Sequence, residues 1–315
     1  MVPVRGGRGL MTGELPVGDV VVMAARWLSV RVMMGSGLIK LRAGDIKWKN
    51  FRAMDYFYET QPVPNPLSKF MHSLPRPYHT FEVLCNHVIE LILPIFFLLP
   101  FRGLRVPATL AHVLFQFILI STGNLSFLNW LTISPLLFGL DDQFWSLLVP
   151  AGLTAQSSIA QYSLTCLAPS TPLASLVCGV TGTGSLAQGL SSLAFGLALL
   201  KLSAPVARNM MDAAQRMNGS FDKYRLVNTY GAFGVVTEAR SELVVSVSNE
   251  AAGPFREVAF KAKPGDVDRR PRWCSPYHHR LDWCMWMAGL GGEGKARTTA
   301  MGTWEQHCVE TKTPP

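Results

Sequence analysis

The sequence predicts an α-helical multi-pass membrane protein with a small C-terminal β-rich soluble domain that reads as truncated. Three observations carry this. First, 49% of residues are hydrophobic and 16% are charged, whereas soluble domains carry about 25% charged residues. Second, the deficit is local: residues 83–203 hold only Glu90, Arg102, Arg105, Asp141, Asp142 and Lys201 as charges. Third, beyond Pro205 apolar and polar residues alternate at period two, as in half-buried strands.

Residues 1–18 are Gly-rich and basic and read as a disordered lead without a cleavable signal peptide. A polytopic helical domain is expected over residues 19–205. Its first span, residues 20–39, carries Arg26 and Arg31. A charge at mid-bilayer costs about 2.5–3.5 kcal/mol on insertion scales, so this span is weak alone. Residues 40–80 form a polar loop whose Pro62, Pro64 and Pro66 favour an extended chain. Its basic start (Lys40, Arg42, Lys47, Lys49, Arg52) is expected on the cytosolic side by the positive-inside rule.

Residues 83–100 and 104–122 are the second and third spans. The short turn between them makes them antiparallel neighbours. Residues 125–140 are short for a span, which needs about 20 apolar residues. Residues 144–168 and 172–203 supply one or two more spans, so four to six spans fit. The run GVTGTGSLAQGLSS, residues 179–192, suits close helix packing better than phosphate binding, since no Gly-Lys-Ser/Thr follows.

Residues 206–288 read as a luminal β-rich domain, incomplete, with strands expected in VVSVSN (244–249) and REVAFKAK (256–263). Residues 289–315 lack periodicity and read as a disordered, atypical tail. The net charge of +8 reflects basic loops at a membrane face, and no Lys/Arg run with interleaved aromatics points to nucleic acid. No C-x-x-C pair occurs among the six cysteines. Cys274 and Cys284 are candidates for luminal disulfides, with the pairing of Cys274, Cys284 and Cys308 open.

The sharpest polar cluster is on the second span. Glu82, Asn86 and Glu90 recur every four residues and share one face of an ideal helix; His79 and His87 each precede a glutamate by three. Such groups bind metal in some bundles, but one helix supplies too few ligands, and interhelical bonding fits better, with Arg26 or Arg31 as charge partners. Asp141 and Asp142 read as a solvated helix end. Asn124 heads a glycosylation sequon inside an apolar region. Asn218 heads one in a polar segment and is the better candidate; a glycan there would place the C-terminal domain in the lumen. Trp273, Trp283 and Trp286 suit a small core or a membrane contact better than a binding platform. No Ser-His-Asp or Cys-His arrangement can be assembled.

Several strings are chemically unusual. They are Tyr58-Glu59-Thr60-Gln61-Pro62 with Pro64-Asn65-Pro66, and Gly123-Asn124-Leu125-Ser126-Phe127-Leu128-Asn129-Trp130-Leu131-Thr132. Val227-Asn228-Thr229-Tyr230-Gly231-Ala232-Phe233-Gly234, Lys263-Pro264-Gly265-Asp266, and Ser275-Pro276-Tyr277-His278 leading to Arg280-Leu281-Asp282-Trp283 and Trp286 follow in order. Together they resemble the lipase maturation factor family. The resemblance implies a multi-pass protein of the endoplasmic reticulum membrane, in a family with no established catalytic residues; with a glycan expected at Asn218, it would be a glycoprotein, and no cofactor is expected. It would assist folding and assembly of secreted homodimeric lipases such as lipoprotein lipase. Tyr230, Arg280, Asp282, Trp283 and Trp286 are then candidates for partner binding or for the fold. The rival reading is a membrane-embedded transporter or enzyme built on Glu82, His87 and Glu90; a non-functional truncated isoform is a third.

Overall fold

A computed structural model describes residues 17–148, 172–249, 253–266, 268–290 and 310–312. The lead before residue 17, most of the expected span over 144–168, Cys308 and most of the tail lie outside them.

Helix α1 (Val17–Arg42) is one continuous helix. Its Val20–Arg42 portion is long and apolar enough to cross a membrane despite Arg26 and Arg31. The polar stretch after it is not one extended loop. It folds into α2 (Ile46–Lys49), α3 (Met54–Thr60) and α4 (Pro66–His72). Residues 43–45, 50–53, 61–65 and 73–75 stay outside helix, and of Pro62, Pro64 and Pro66 only the first two fall among them. Pro66 begins α4, where a missing N–H costs nothing, and Asn65 caps it in a box with Ser68.

Helix α5 (Arg76–His87) runs into a π-helical turn at Val88–Ile92 and a 3-10 turn at Leu93–Phe97. The wide turn moves Glu90 off the face that ideal α spacing assigns it with Glu82 and Asn86. Helix α6 (Arg102–Thr122) follows, then α7 (Leu128–Leu136), α8 (Asp142–Leu148) and α9 (Pro172–Met211). Among the described residues four segments are long and apolar enough to span: Val20–Arg42, Arg76–Phe97, Arg102–Thr122 and Leu190–Met211. Leu128–Gly139 is apolar but short. On α9, Leu190, Leu193, Leu197 and Leu200 recur at helical spacing and are all exposed. An uncovered apolar stripe of this kind is what lipid, not water, accommodates.

The C-terminal strands fall near the alternating runs but are short. β1 (Glu242–Val244) pairs antiparallel with β4 (Glu310–Lys312), which lies inside the tail expected to be unstructured. β2 (Ser246–Val247) pairs antiparallel with β3 (Arg256–Glu257). Helix α10 (Arg280–Gly289) carries the Trp283 and Trp286 string.

The described residues form two units. One draws on Met1–Gly35, Leu93–Leu110 and Pro135–Gly231, the other on Ser36–Ile92, Ala111–Ser134 and Ala232–Pro315. The second holds the main core of Trp48, Ala53, Phe57, Tyr58, Met71, Val83 and Val236. A smaller cluster packs Leu243 against Ala288 and Met285.

Candidate functional site

Within the second unit, the end of α6 is where distant segments meet. A helix end leaves its last carbonyls unpaired. Here the last two are taken by side chains from residues 61–68. Asn65 Nδ2 donates to Ser121 O (2.9 Å), Ser68 Oγ to Thr122 O (2.9 Å) and Gln61 Nε2 to Thr122 O (3.2 Å). Gly123 admits this approach: a Cβ there would sit 2.2 Å from Gln61 Oε1.

Asn124 is 2% exposed and spends its whole amide on backbone. Nδ2 donates to Arg272 O (2.7 Å) and Pro64 O (3.3 Å). Oδ1 accepts from Cys274 N (3.1 Å) and Ser275 N (3.3 Å). Those four bonds use two donors and two acceptor sites, the full capacity of the group. Ser275 Oγ then donates to Ser126 O (3.2 Å) and accepts from Trp130 Nε1 (3.3 Å). The Pro64-Asn65-Pro66, Gly123-Asn124 and Ser275-Pro276 strings, far apart in sequence, are thus sewn into one surface.

A second seam lies beside it. Arg240 Nη2 donates to Pro62 O (3.0 Å), and Nη1 to Gln61 O and Glu59 O. Burial pulls the guanidinium pKa below its ordinary value, while the Glu242 carboxylate beside it acts the other way. Trp286 Nε1 donates to Thr60 O (3.1 Å). Asp282, 4% exposed, accepts from the amides of Ala262 (2.6 Å) and Lys263 (2.7 Å), tying the Lys263-Pro264 string to α10. Trp283 is half-buried, with ring centroids 5.6 Å from His278 and 5.8 Å from Trp286. A cavity of about 10 Å³ lined by Asn124, Cys274, Tyr277, His278 and Trp283 holds about one water and no organic ligand. Outside the seams, Phe127, Trp273, Tyr277, Arg280 and Leu281 are exposed.

The polar groups of the second span do not converge. Glu82 lies 2.6 Å from the Tyr58 hydroxyl and 3.0 Å from His79 Nδ1. Burial, and then Glu82 itself, push the Tyr58 phenol pKa up. Glu90 pairs with Lys40, whose ammonium also lies 5.0 Å from the Trp48 ring centroid. His87 Nε2 is 3.1 Å from Trp48 O, and Asn86 Oδ1 has no partner among the described residues. The charge partner on the first span is therefore Lys40, not Arg26 or Arg31. The π turn and the separate partners explain why the expected common face is not kept. No group of three metal-ligating side chains occurs among the described residues.

In the first unit, Arg26 Nε donates to Phe138 O (2.9 Å). Arg31 Nη1 donates to Asn228 O (2.9 Å), with the guanidinium 5.9 Å from the Trp27 ring and 5.8 Å from the Tyr230 ring. Tyr230 thus serves a cation on the first span. Asp141 pairs with Arg102 (2.7 Å) and caps Phe144 N (2.9 Å), as expected of a helix end. The Asn218 backbone is left-handed (φ 50°), and its amide exchanges two bonds with Gly231: Nδ2 to O (3.0 Å) and N to Oδ1 (3.3 Å). The backbone amides of Leu226 and Val227 hold the Asp222 carboxyl below its usual range. Cys274 and Cys284, the disulfide candidates, both carry free thiols. Burial raises the Cys274 pKa.

Arg240 and Asp45, which accepts from Val236 N (2.8 Å), are contacts the sequence did not disclose. Neither sits in a periodic pattern or motif, and each bonds across 178–191 residues, so no local signal marks them.

Residues 1–147 match the lipase maturation factor transmembrane domain and residues 226–307 the lipase maturation factor C-terminal domain. Lipase maturation factor 1 of Bos taurus is 46% identical, and that of Homo sapiens 40%; each alignment covers 87% of this chain and 48% of the relative. Lipase maturation factor 2 of Mus musculus is 29% identical over 92% of the chain and 53% of the relative. The chain spans about half the length of these curated relatives. No solved structure matches. The strings that meet at Asn124 and Asp282 fall in both matched domains, and with a helical, membrane-spanning body the chain belongs to the lipase maturation factor family.

Proposed function

We propose that this chain acts as a chaperone-like maturation factor in the endoplasmic reticulum membrane. It would assist folding and assembly of secreted homodimeric lipases of the lipoprotein lipase type. The carrying observation is the surface sewn together at Asn124, Arg240 and Asp282. Its interior is spent on backbone bonds, and the cavity beside Asn124, about 10 Å³, is too small for a reactant. Its exterior presents Phe127, Trp273, Tyr277 and Leu281, which suit an apolar, partly folded client. Glu82, His87 and Glu90 are each committed to protein contacts, which favours scaffolding over turnover for them. In this reading Arg280 and Trp283 lie on the client side, Asp282 and Trp286 hold the surface in shape, and a glycan at Asn218 would mark the luminal face.

The test is secreted lipase activity per lipase mass in cells lacking their own maturation factor. Expressing this chain raises it. The double variant Tyr277→Ala/Leu281→Ala abolishes the gain at unchanged chain abundance. Trp283→Ala reduces it. Equal rescue by all three, at equal abundance, removes the role assigned to this surface.

A further inference from the structure

The C-terminal end of α9 holds an open cavity of about 340 Å³ lined by Pro205, Arg208, Asn209, Asp212, Arg216 and Phe221, among others. It lies at the Met211 end of the Leu190–Met211 span, and Arg208 is in the last turn of the helix. Asn209, 7% exposed, donates from Nδ2 to Arg216 O (3.0 Å) and accepts at Oδ1 from Arg216 N (2.9 Å). That pair of bonds folds the chain back and fixes the Arg216 backbone against the helix. Arg208 and Arg216 are both exposed, and among the described residues neither guanidinium has a carboxylate within 4.0 Å. Asp212, the one carboxylate in the lining, turns Oδ1 to Ala214 N (3.0 Å). Phe221 and Pro205 add apolar wall.

We propose that this cavity binds the phosphate group of an anionic phospholipid headgroup. Guanidinium forks match phosphate oxygens in pairs. The position at a span end sets the cavity at headgroup depth, and exposed Phe221 and Met211 supply apolar surface near it. A competing role exists for the same cations: they can neutralise the negative end of the helix dipole, an effect that falls off within the last turn. Arg208 lies in that turn, but Arg216 is five residues past Met211, where the dipole no longer explains it.

The purified full chain is placed in nanodiscs of phosphatidylcholine with and without phosphatidylserine, and lipids retained after extraction are counted by native mass spectrometry. Phosphatidylserine is expected to be enriched over phosphatidylcholine. Arg208→Gln and Arg216→Gln each lower that enrichment roughly tenfold, the loss expected for one charge-assisted hydrogen bond. Lys223→Gln, an exposed cation outside the cavity, leaves it unchanged. A separate arm adds inorganic phosphate at millimolar concentration without charged lipid. Retention of phosphate with no lipid preference overturns the lipid assignment. Equal loss in all three variants, or lower thermal stability in pure phosphatidylcholine with no change in selectivity, overturns the site and leaves only the dipole role. Arg208→Lys separates the fork from bare charge: it recovers the dipole effect but only part of the enrichment.

Discussion

Asn124 and Asn218 each head an Asn-x-Ser tripeptide, and the fold treats them in opposite ways. Asn124 is 2% exposed, and its amide bonds four backbone groups from residues 64, 272, 274 and 275. Asn218 is exposed, and its amide bonds one residue, Gly231, thirteen positions away. The first is a tertiary knot, closed to a transferase once the chain has folded. The second is a local clasp that a transferase reaches once two bonds open. The same Asn-x-Ser pattern thus gives a structural post in one place and a modification candidate in the other. The difference is burial and the sequence distance of the partners.

The largest expected effect tests the knot. Asn124→Ala strands two amides and two carbonyls in a part-buried setting and lowers stability by about 3 kcal/mol or more. Thermal unfolding in detergent and cellular abundance report it; a melting point close to the parent's breaks the comparison. Next is Asp282. Asp282→Ala costs about 2–4 kcal/mol by orphaning the Ala262 and Lys263 amides, whereas Asp282→Asn keeps an acceptor and retains most of the stability. Asn218→Gln costs about 1 kcal/mol or less, since the clasp is short and solvent replaces it. It also removes one glycosidase-sensitive step on a gel if the segment is luminal; an unchanged glycan pattern excludes Asn218 as the acceptor. The smallest effect is chemical. At pH 8 a maleimide labels exposed Cys284 before Cys274, because burial raises the Cys274 pKa and keeps it as the thiol. Raising the pH forms thiolate at Cys274 and narrows the gap. Labelling of Cys274 first would show that the Asn124 knot opens readily.

Much of the fold was legible. Apolar runs located the spans, because in lipid a helix is the simple way to satisfy every backbone group over that length. The strings around Asn65, Asn124 and Asp282 were legible as a family signature, although their contacts were not. The polar stretch after α1 was misjudged because Pro62, Pro64 and Pro66 look alike in sequence. Only the third sits at a helix start, where proline is favoured. The Glu82–Asn86–Glu90 face was misjudged because a π turn inserts between them, and no residue type announces such a turn.

The sequence by itself determined the membrane character, the apolar helix-forming segments, the family and the two sequons. Composition and local periodicity suffice for these, since they are properties of short windows. Only the tertiary structure decided that Lys40 answers Glu90, that Tyr230 and Asn228 answer Arg31, and that Arg240 clamps residues 59–62. Those pairings satisfy buried charges and backbone groups, and burial is a property of the whole packed chain. A local window shows which groups need a partner; the fold supplies the partner from a distant part of the chain.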